Sequence, residues 1–139
     1  MALAFFALTS FVALVSRGAD PKSVAFLSPY NSQVDAMARD LERERETGGI
    51  AAGVEALTID RAQGRDVEAA VVSMVRANPE GDAGTLLRDR RRVNVALTRA
   101  KSKLIVVGCG ATLQSSPVLR EVLGVTIHEG WLVPFPNEV

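Results

Sequence analysis

The segment "RDRRRVNVALTRAKSKLIVVGC", residues 88–109, decides the fold. Its second half, "KLIVVG" (103–108), is an apolar run of strand length without polar alternation. That pattern marks a strand covered on both faces, as parallel strands are. Its first half reads as a helix from about 88 to 101, because Val93, Ala96, Leu97 and Ala100 recur at i, i+3, i+4 and i+7 and form one apolar stripe. A helix feeding directly into a buried strand is the repeating unit of a doubly wound, mostly parallel α/β sheet. The charge of the segment is unusual. Arg88, Arg90, Arg91, Arg92, Arg99, Lys101 and Lys103 stand against Asp89 alone, in a chain whose 16 basic and 16 acidic residues cancel.

The same unit recurs upstream. "VAFL" (24–27), "VEALTI" (54–59) and "EAAVVSMVR" (68–76) read as further strands. "DPKS" and "ANPEGDAG" (77–84) read as turn and loop, and "TGGIAAG" (47–53) as a flexible connection. Ser28 and Pro29 carry the signals of a helix start, followed by Val34, Met37, Ala38 and Leu41 at helical spacing. Ser116 and Pro117 open a last helix expected to end near Gly124. The apolar stretch "MALAFFALTSFVALVSRGAD" is short for a membrane span, which needs roughly 20 residues. It carries no positive charge before its apolar run, so it reads as a buried helix ending near Gly18 rather than as a secretory leader.

Composition narrows the function classes. At 139 residues and 47% hydrophobic, the chain is long and apolar enough for one domain with a true core. Zero net charge argues against bulk adhesion to nucleic acid or to a membrane and leaves a local patch possible. One cysteine, Cys109, excludes an intrachain disulfide and a multi-cysteine zinc site, and one histidine, His128, disfavours a histidine metal site. No metal site is expected, a reducing, intracellular compartment is, and Cys109, after a buried strand, reads as an inert small hydrophobe.

Three polar clusters flank the strands: "SPYNSQ" (28–33), "TIDRAQGRD" (58–66) and the arginine-rich segment. All three are expected beyond the C-terminal strand ends, where doubly wound sheets bind ligands. Gly64 permits a tight turn around which Gln63, Arg65 and Asp66 are expected to converge, either on a phosphate or ribose or simply on one another. Arg92 and Arg99, seven residues apart, fall on one helical stripe about 10 Å apart. Partly buried arginines need anions, and the planar guanidinium suits phosphate oxygens or carboxylates. Arg88 and Arg90 read as surface charge, whereas Arg99, placed inside the helix, is the candidate for a phosphate.

Taken together, "SPYNSQV", "LTIDRAQGRDVEAAVVSMVR" and "RRRVNVALTRAKSKLIVVG" resemble the C-terminal half of superfamily 1 helicases. The branch is the one containing the replication ATP-dependent helicase/nuclease and the nonsense-mediated-decay helicase. "QGRD", with aspartate where many relatives carry glutamate, leans toward the replication group. The resemblance covers roughly residues 5 to 123. It implies a RecA-like P-loop NTPase fold, here the second helicase domain (1–124) followed by a C-terminal tail (125–139). It further implies ATP with Mg²⁺, shared with a first RecA-like domain in the same or another chain.

By the same resemblance Arg99 is the arginine finger. Gln63, Gly64, Asp66 and Arg92 serve the nucleotide, with Arg92 and Asn94 also keeping the third cluster in register. Thr58, Pro29, Tyr30 and Lys101 face single-stranded DNA or RNA. A nuclear location is favoured over a cytoplasmic one, with no membrane partner. The sequence contains no Gly-x-x-x-x-Gly-Lys-Ser/Thr and no apolar strand ending in Asp-Glu, so the chain alone is expected to be inactive in ATP hydrolysis. Two other readings remain: a non-catalytic nucleic-acid-binding or regulatory module derived from such a helicase, and a doubly wound domain with a different ligand or none.

Overall fold

The computed structural model describes residues 2–75 and 83–134, with side chains from residue 6 onward. The elements run α1 (Ala2–Ser16), β1 (Val24–Ser28), α2 (Asn31–Glu46), β2 (Glu55–Thr58), β3 (Val67–Ser73), α3 (Gly84–Arg88), α4 (Arg90–Thr98), β4 (Ala100–Val107), α5 (Gly110–Leu113) and α6 (Pro117–His128). The four strands form one sheet in the order β2-β1-β3-β4, every neighbouring pair parallel. The fold is therefore the doubly wound parallel α/β sheet expected. Arg76 and most of the expected loop 77–84 lie outside the described residues, as does the end of the tail.

Strand alternation assigns the two faces. Val24, Phe26, Ala69 and Val71 point to one side and pack with Ala7 and Phe11 of α1 and Met37 and Leu41 of α2. Ala25, Leu27, Ala70 and Val72 point to the other and pack with Leu87, Val93, Ala96 and Leu119 of α3, α4 and α6. The central strands β1 and β3 are buried on both faces, so they carry no polar alternation. Strand β4 is an edge strand, and Lys101, Ser102, Lys103 and Val106 are exposed on it. The sequence suggested a buried strand there. Leu104 packs on one face of the sheet and Ile105 and Val107 on the other, but among the described residues only β3 pairs with the strand, and the lysines protect its open edge from pairing with other chains.

Three helices differ from expectation in their boundaries. Helix α2 begins at Asn31, because Ser28 belongs to the strand, where its Oγ accepts the Tyr30 N–H at 3.1 Å. Ala38, expected in the core, is exposed, so Val34, Met37 and Leu41 carry that face. The arginine-rich helix is shorter than 88–101 at both ends. Asp89 adopts an extended conformation and its carboxylate accepts the Arg91 and Arg92 N–H groups at 3.0 and 3.4 Å, capping α4 and separating it from α3. At the other end Ala100 already pairs with Val67 in the sheet, and this ladder overrides the helical stripe. Helix α6 runs through Gly124. It stops at Gly130, whose positive φ of 72° lets Trp131 N–H reach Thr126 O and Gly130 N–H reach Ile127 O at 2.8 and 3.2 Å, a Schellman ending. No helix among the described residues is long and apolar enough to cross a membrane.

Candidate nucleotide and nucleic-acid interfaces

Sheet register divides the candidate residues between two ends. Ser28 pairs with Thr58 at the C-terminal ends of β1 and β2, whereas Val67 pairs with Ala100 at the N-terminal ends of β3 and β4. Segment 59–66 links β2 to β3 and therefore returns along the sheet from one end to the other. Pro29, Tyr30, Thr58 and Asp60 stand at the C-terminal end. Asp66, Arg99 and Lys101 stand at the N-terminal end, with Gly64 close in sequence. The expected gathering of all three clusters at the C-terminal ends is thus corrected. It could not be foreseen without knowing that 59–66 is a crossover rather than a loop confined to one end.

At the C-terminal end a buried polar network fixes the turn after β1. Gln33 Oε1 accepts the hydroxyls of Ser28 at 3.0 Å and Ser73 at 2.6 Å, and Gln33 Nε2 donates to Val75 O at 2.8 Å. Both serines are fully buried. Gln33 thus ties the ends of β1 and β3 together and sets the position of Pro29 and Tyr30. The sequence places Gln33 in the first polar cluster without marking this role. A glutamine three residues into a helix that follows a strand ending in serine was the available signal. Thr58 Oγ1 accepts the Arg61 N–H at 3.3 Å.

Arg92 sits on the first turn of α4, where its Nε donates to Asp60 Oδ1 at 3.1 Å and its Nη1 lies 3.7 Å from Asp89 Oδ2. It is placed with Thr58 and Asp60 rather than with Arg99. Asn94 faces solvent, so Arg92 alone of that pair holds the helix to the crossover.

At the N-terminal end Arg99 follows the last turn of α4 rather than lying inside it. Its side chain is 18% exposed and every guanidinium nitrogen has an acceptor. Nε donates to Val95 O at 3.2 Å, Nη2 donates to Thr98 Oγ1 at 3.2 Å, and Nη1 lies 3.4 Å from Asp66 Oδ1. Gly64 adopts φ of +77°, which strains any side-chain-bearing residue, while a Cβ there would meet nothing within 4 Å. Its purpose is the turn itself. The residues around it diverge rather than converge: Gln63 is exposed, Arg65 forks onto Glu55 at 2.6 and 3.4 Å, and Asp66 turns to Arg99. Lys101 is exposed beside Arg99, away from Thr58, Pro29 and Tyr30. Arg88, Arg90 and Arg91 are exposed. Among the described residues no group of three His, Cys, Asp or Glu gathers as a metal site.

In its acidity Cys109 departs from the inert small hydrophobe expected. It is half-buried and precedes α5, where the backbone N–H of Thr112, then its hydroxyl, stabilise the thiolate and hold the thiol below its ordinary value. The thiolate is therefore populated at lower pH in the folded chain than in the unfolded one. The pH midpoint of iodoacetamide alkylation is expected to lie lower for the native chain than in urea, and Thr112→Val should raise it part of the way back. Coincident native and urea midpoints would contradict this.

A parallel sheet in the order 2-1-3-4, with an arginine after the helix that feeds the last strand, is consistent with a RecA-like domain, and the sequence matches place it in the superfamily 1 helicase class. The family described as "AAA domain" matches residues 4–111, and the chain belongs to it. It falls in the replication helicase branch. The DNA replication ATP-dependent helicase/nuclease of Bos taurus is 40% identical over 123 residues, covering 88% of this chain and 11% of that protein. The protein of the same description from Schizosaccharomyces pombe is 37% identical over 126 residues, covering 91% and 8%. That from Arabidopsis thaliana is 42% identical over 129 residues, covering 91% and 9%. The chain spans about a tenth of the length of these relatives.

Proposed function

We propose that this chain acts as the second RecA-like half of an ATP-dependent DNA helicase, closing on a nucleotide held mainly by a first RecA-like domain. The observation that carries the reading is the division of its polar residues between two sheet ends joined by one crossover. Arg99, with Asp66 and Gly64 near it, forms the nucleotide end, and Thr58, Pro29 and Tyr30 form the nucleic-acid end. Gln63 and Lys101 are exposed at the margins of the nucleotide end, and Arg92 serves it indirectly, by fixing α4. The partner is single-stranded DNA rather than RNA, since the relatives are named for DNA replication, and the location is nuclear on the same ground.

The residues present fit the phosphate end of ATP. Arg99 offers a positive fork in a mostly buried setting, where hydrogen bonds to a phosphate are stronger than in water. It would stabilise the charge that spreads over the transferring phosphoryl group. Magnesium, when bound, neutralises phosphate charge. Asp66, the carboxylate beside Arg99, would stand near the ribose or the ion, and the first domain would supply the ion's ligands. Arg99 is held by α4, which packs through Val93 and Ala96, so it is positioned before the nucleotide arrives. The test is ATP hydrolysis by this chain mixed with a first RecA-like half, with and without single-stranded DNA. Stimulated hydrolysis by the pair and none by this chain alone is the expected result, and a pair no faster than the first half by itself would overturn the reading.

A further inference from the structure

Helix α4 and the crossover 59–66 lie side by side and are tied at both ends. At one end Arg92 Nε donates to Asp60 Oδ1 at 3.1 Å. At the other, Arg99 Nη1 lies 3.4 Å from Asp66 Oδ1, and Val67 N–H donates to Arg99 O at 2.9 Å. Ala62 between the ties, and Ile59 just before the first, share a buried cluster with Val93 and Ala96 of the helix. The two arginines stand two helical turns apart, about 10 Å along the axis. Five residues lie between the two aspartates, and each aspartate meets the arginine at its own end of the helix.

Each ion pair is partly exposed and worth little alone. Their placement matters more than their strength. Burial of small apolar residues such as Ala62 and Ala96 in one cluster resists separation and resists sliding weakly, and an ion pair at each end fixes the register. The end at Asp60 leads directly to Thr58, whose hydroxyl accepts the Arg61 N–H.

We infer that Asp60 is a positioning residue: its pair with Arg92 makes α4 and the crossover one body that carries an event at Arg99 to Thr58. This rests on the reading of Arg99 as the anion-facing group. An anion arriving there competes with Asp66 for the guanidinium and frees the Asp66 side chain, while the Val67 N–H still bonds Arg99 O. With Asp60 still held by Arg92, the adjustment reaches Arg61 and Thr58. Without the Asp60 tie, it dissipates within the turn at Gly64.

The experiment is a titration of the 139-residue chain with inorganic pyrophosphate at low ionic strength, followed by ¹⁵N NMR at Arg99 Nε and at the Arg61 amide. Both resonances should move with the same midpoint. Asp60 is 67% exposed at its side chain, so Asp60→Asn should fold normally. That variant should keep the Arg99 midpoint within about twofold and cut the Arg61 displacement at least about threefold, and Asp60→Glu should restore more than about half of it. A full Arg61 displacement in Asp60→Asn, or an Arg61 that stays still in the unmodified chain while Arg99 moves, overturns the inference and leaves the function above intact. A silent Arg99 overturns it as well, because nothing then displaces Asp66. The ATP hydrolysis of the assembled pair judges the function separately.

Discussion

Replacing Arg99 with alanine is expected to lower DNA-stimulated ATP hydrolysis by the assembled pair by roughly three to five orders of magnitude, the range known for arginine fingers elsewhere. Folding should hardly change. The guanidinium bonds to Val95 O and Thr98 Oγ1 of its own helix, and its ion partner Asp66 is 55% exposed, so its loss costs about 1 kcal/mol or less. Arg99→Lys separates charge from shape. It keeps the positive charge and loses the planar fork, so it should recover only a small part of the rate. These outcomes are read by single-turnover hydrolysis alongside urea unfolding. A rate within about tenfold of the unmodified pair would remove Arg99 from the reaction.

The second large effect is on stability. Gln33→Leu should destabilise the chain by about 3 kcal/mol, because it strips partners from three buried or half-buried groups at once. Ser28 and Ser73 hydroxyls lose their shared acceptor and Val75 O loses its donor. A buried polar network that is only partly satisfied is worse than an apolar one. Adding Ser73→Ala to Gln33→Leu should therefore cost less than the sum of the two single changes. Urea unfolding of the two single variants and the double variant gives the coupling directly. A Gln33→Leu cost below about 0.5 kcal/mol would show that the serines find other partners.

Much of the architecture is readable from sequence because burial on both faces removes polar alternation. "VAFL" and "EAAVVS" could hardly be anything other than central strands, and they are. The boundaries that failed did so for identifiable reasons. Helix α4 ends before Ala100 because Val67, 33 residues upstream, claims it for the sheet, and no local stripe reveals that. Helix α6 passes Gly124 because Gly130, six residues later, makes the Schellman ending, and a local signal cannot rank two glycines. The candidate site was readable in kind and not in arrangement. The types in "TIDRAQGRD" and "ALTRAK" pointed to phosphate chemistry and to the helicase family. That Asp66 faces Arg99, that Asp60 faces Arg92 and that Arg65 turns away to Glu55 depends on strand order and on the direction of the crossover.

The central claim is that the chain supplies one half of a nucleotide site whose other half lies in a first RecA-like domain. The direct measurement is steady-state ATP hydrolysis by a fixed amount of first domain as this chain is titrated in, with single-stranded DNA present. A rate that rises and saturates, with Arg99→Ala chain giving no rise, is the predicted result. A rate that stays flat, or that rises equally with Arg99→Ala, would contradict it.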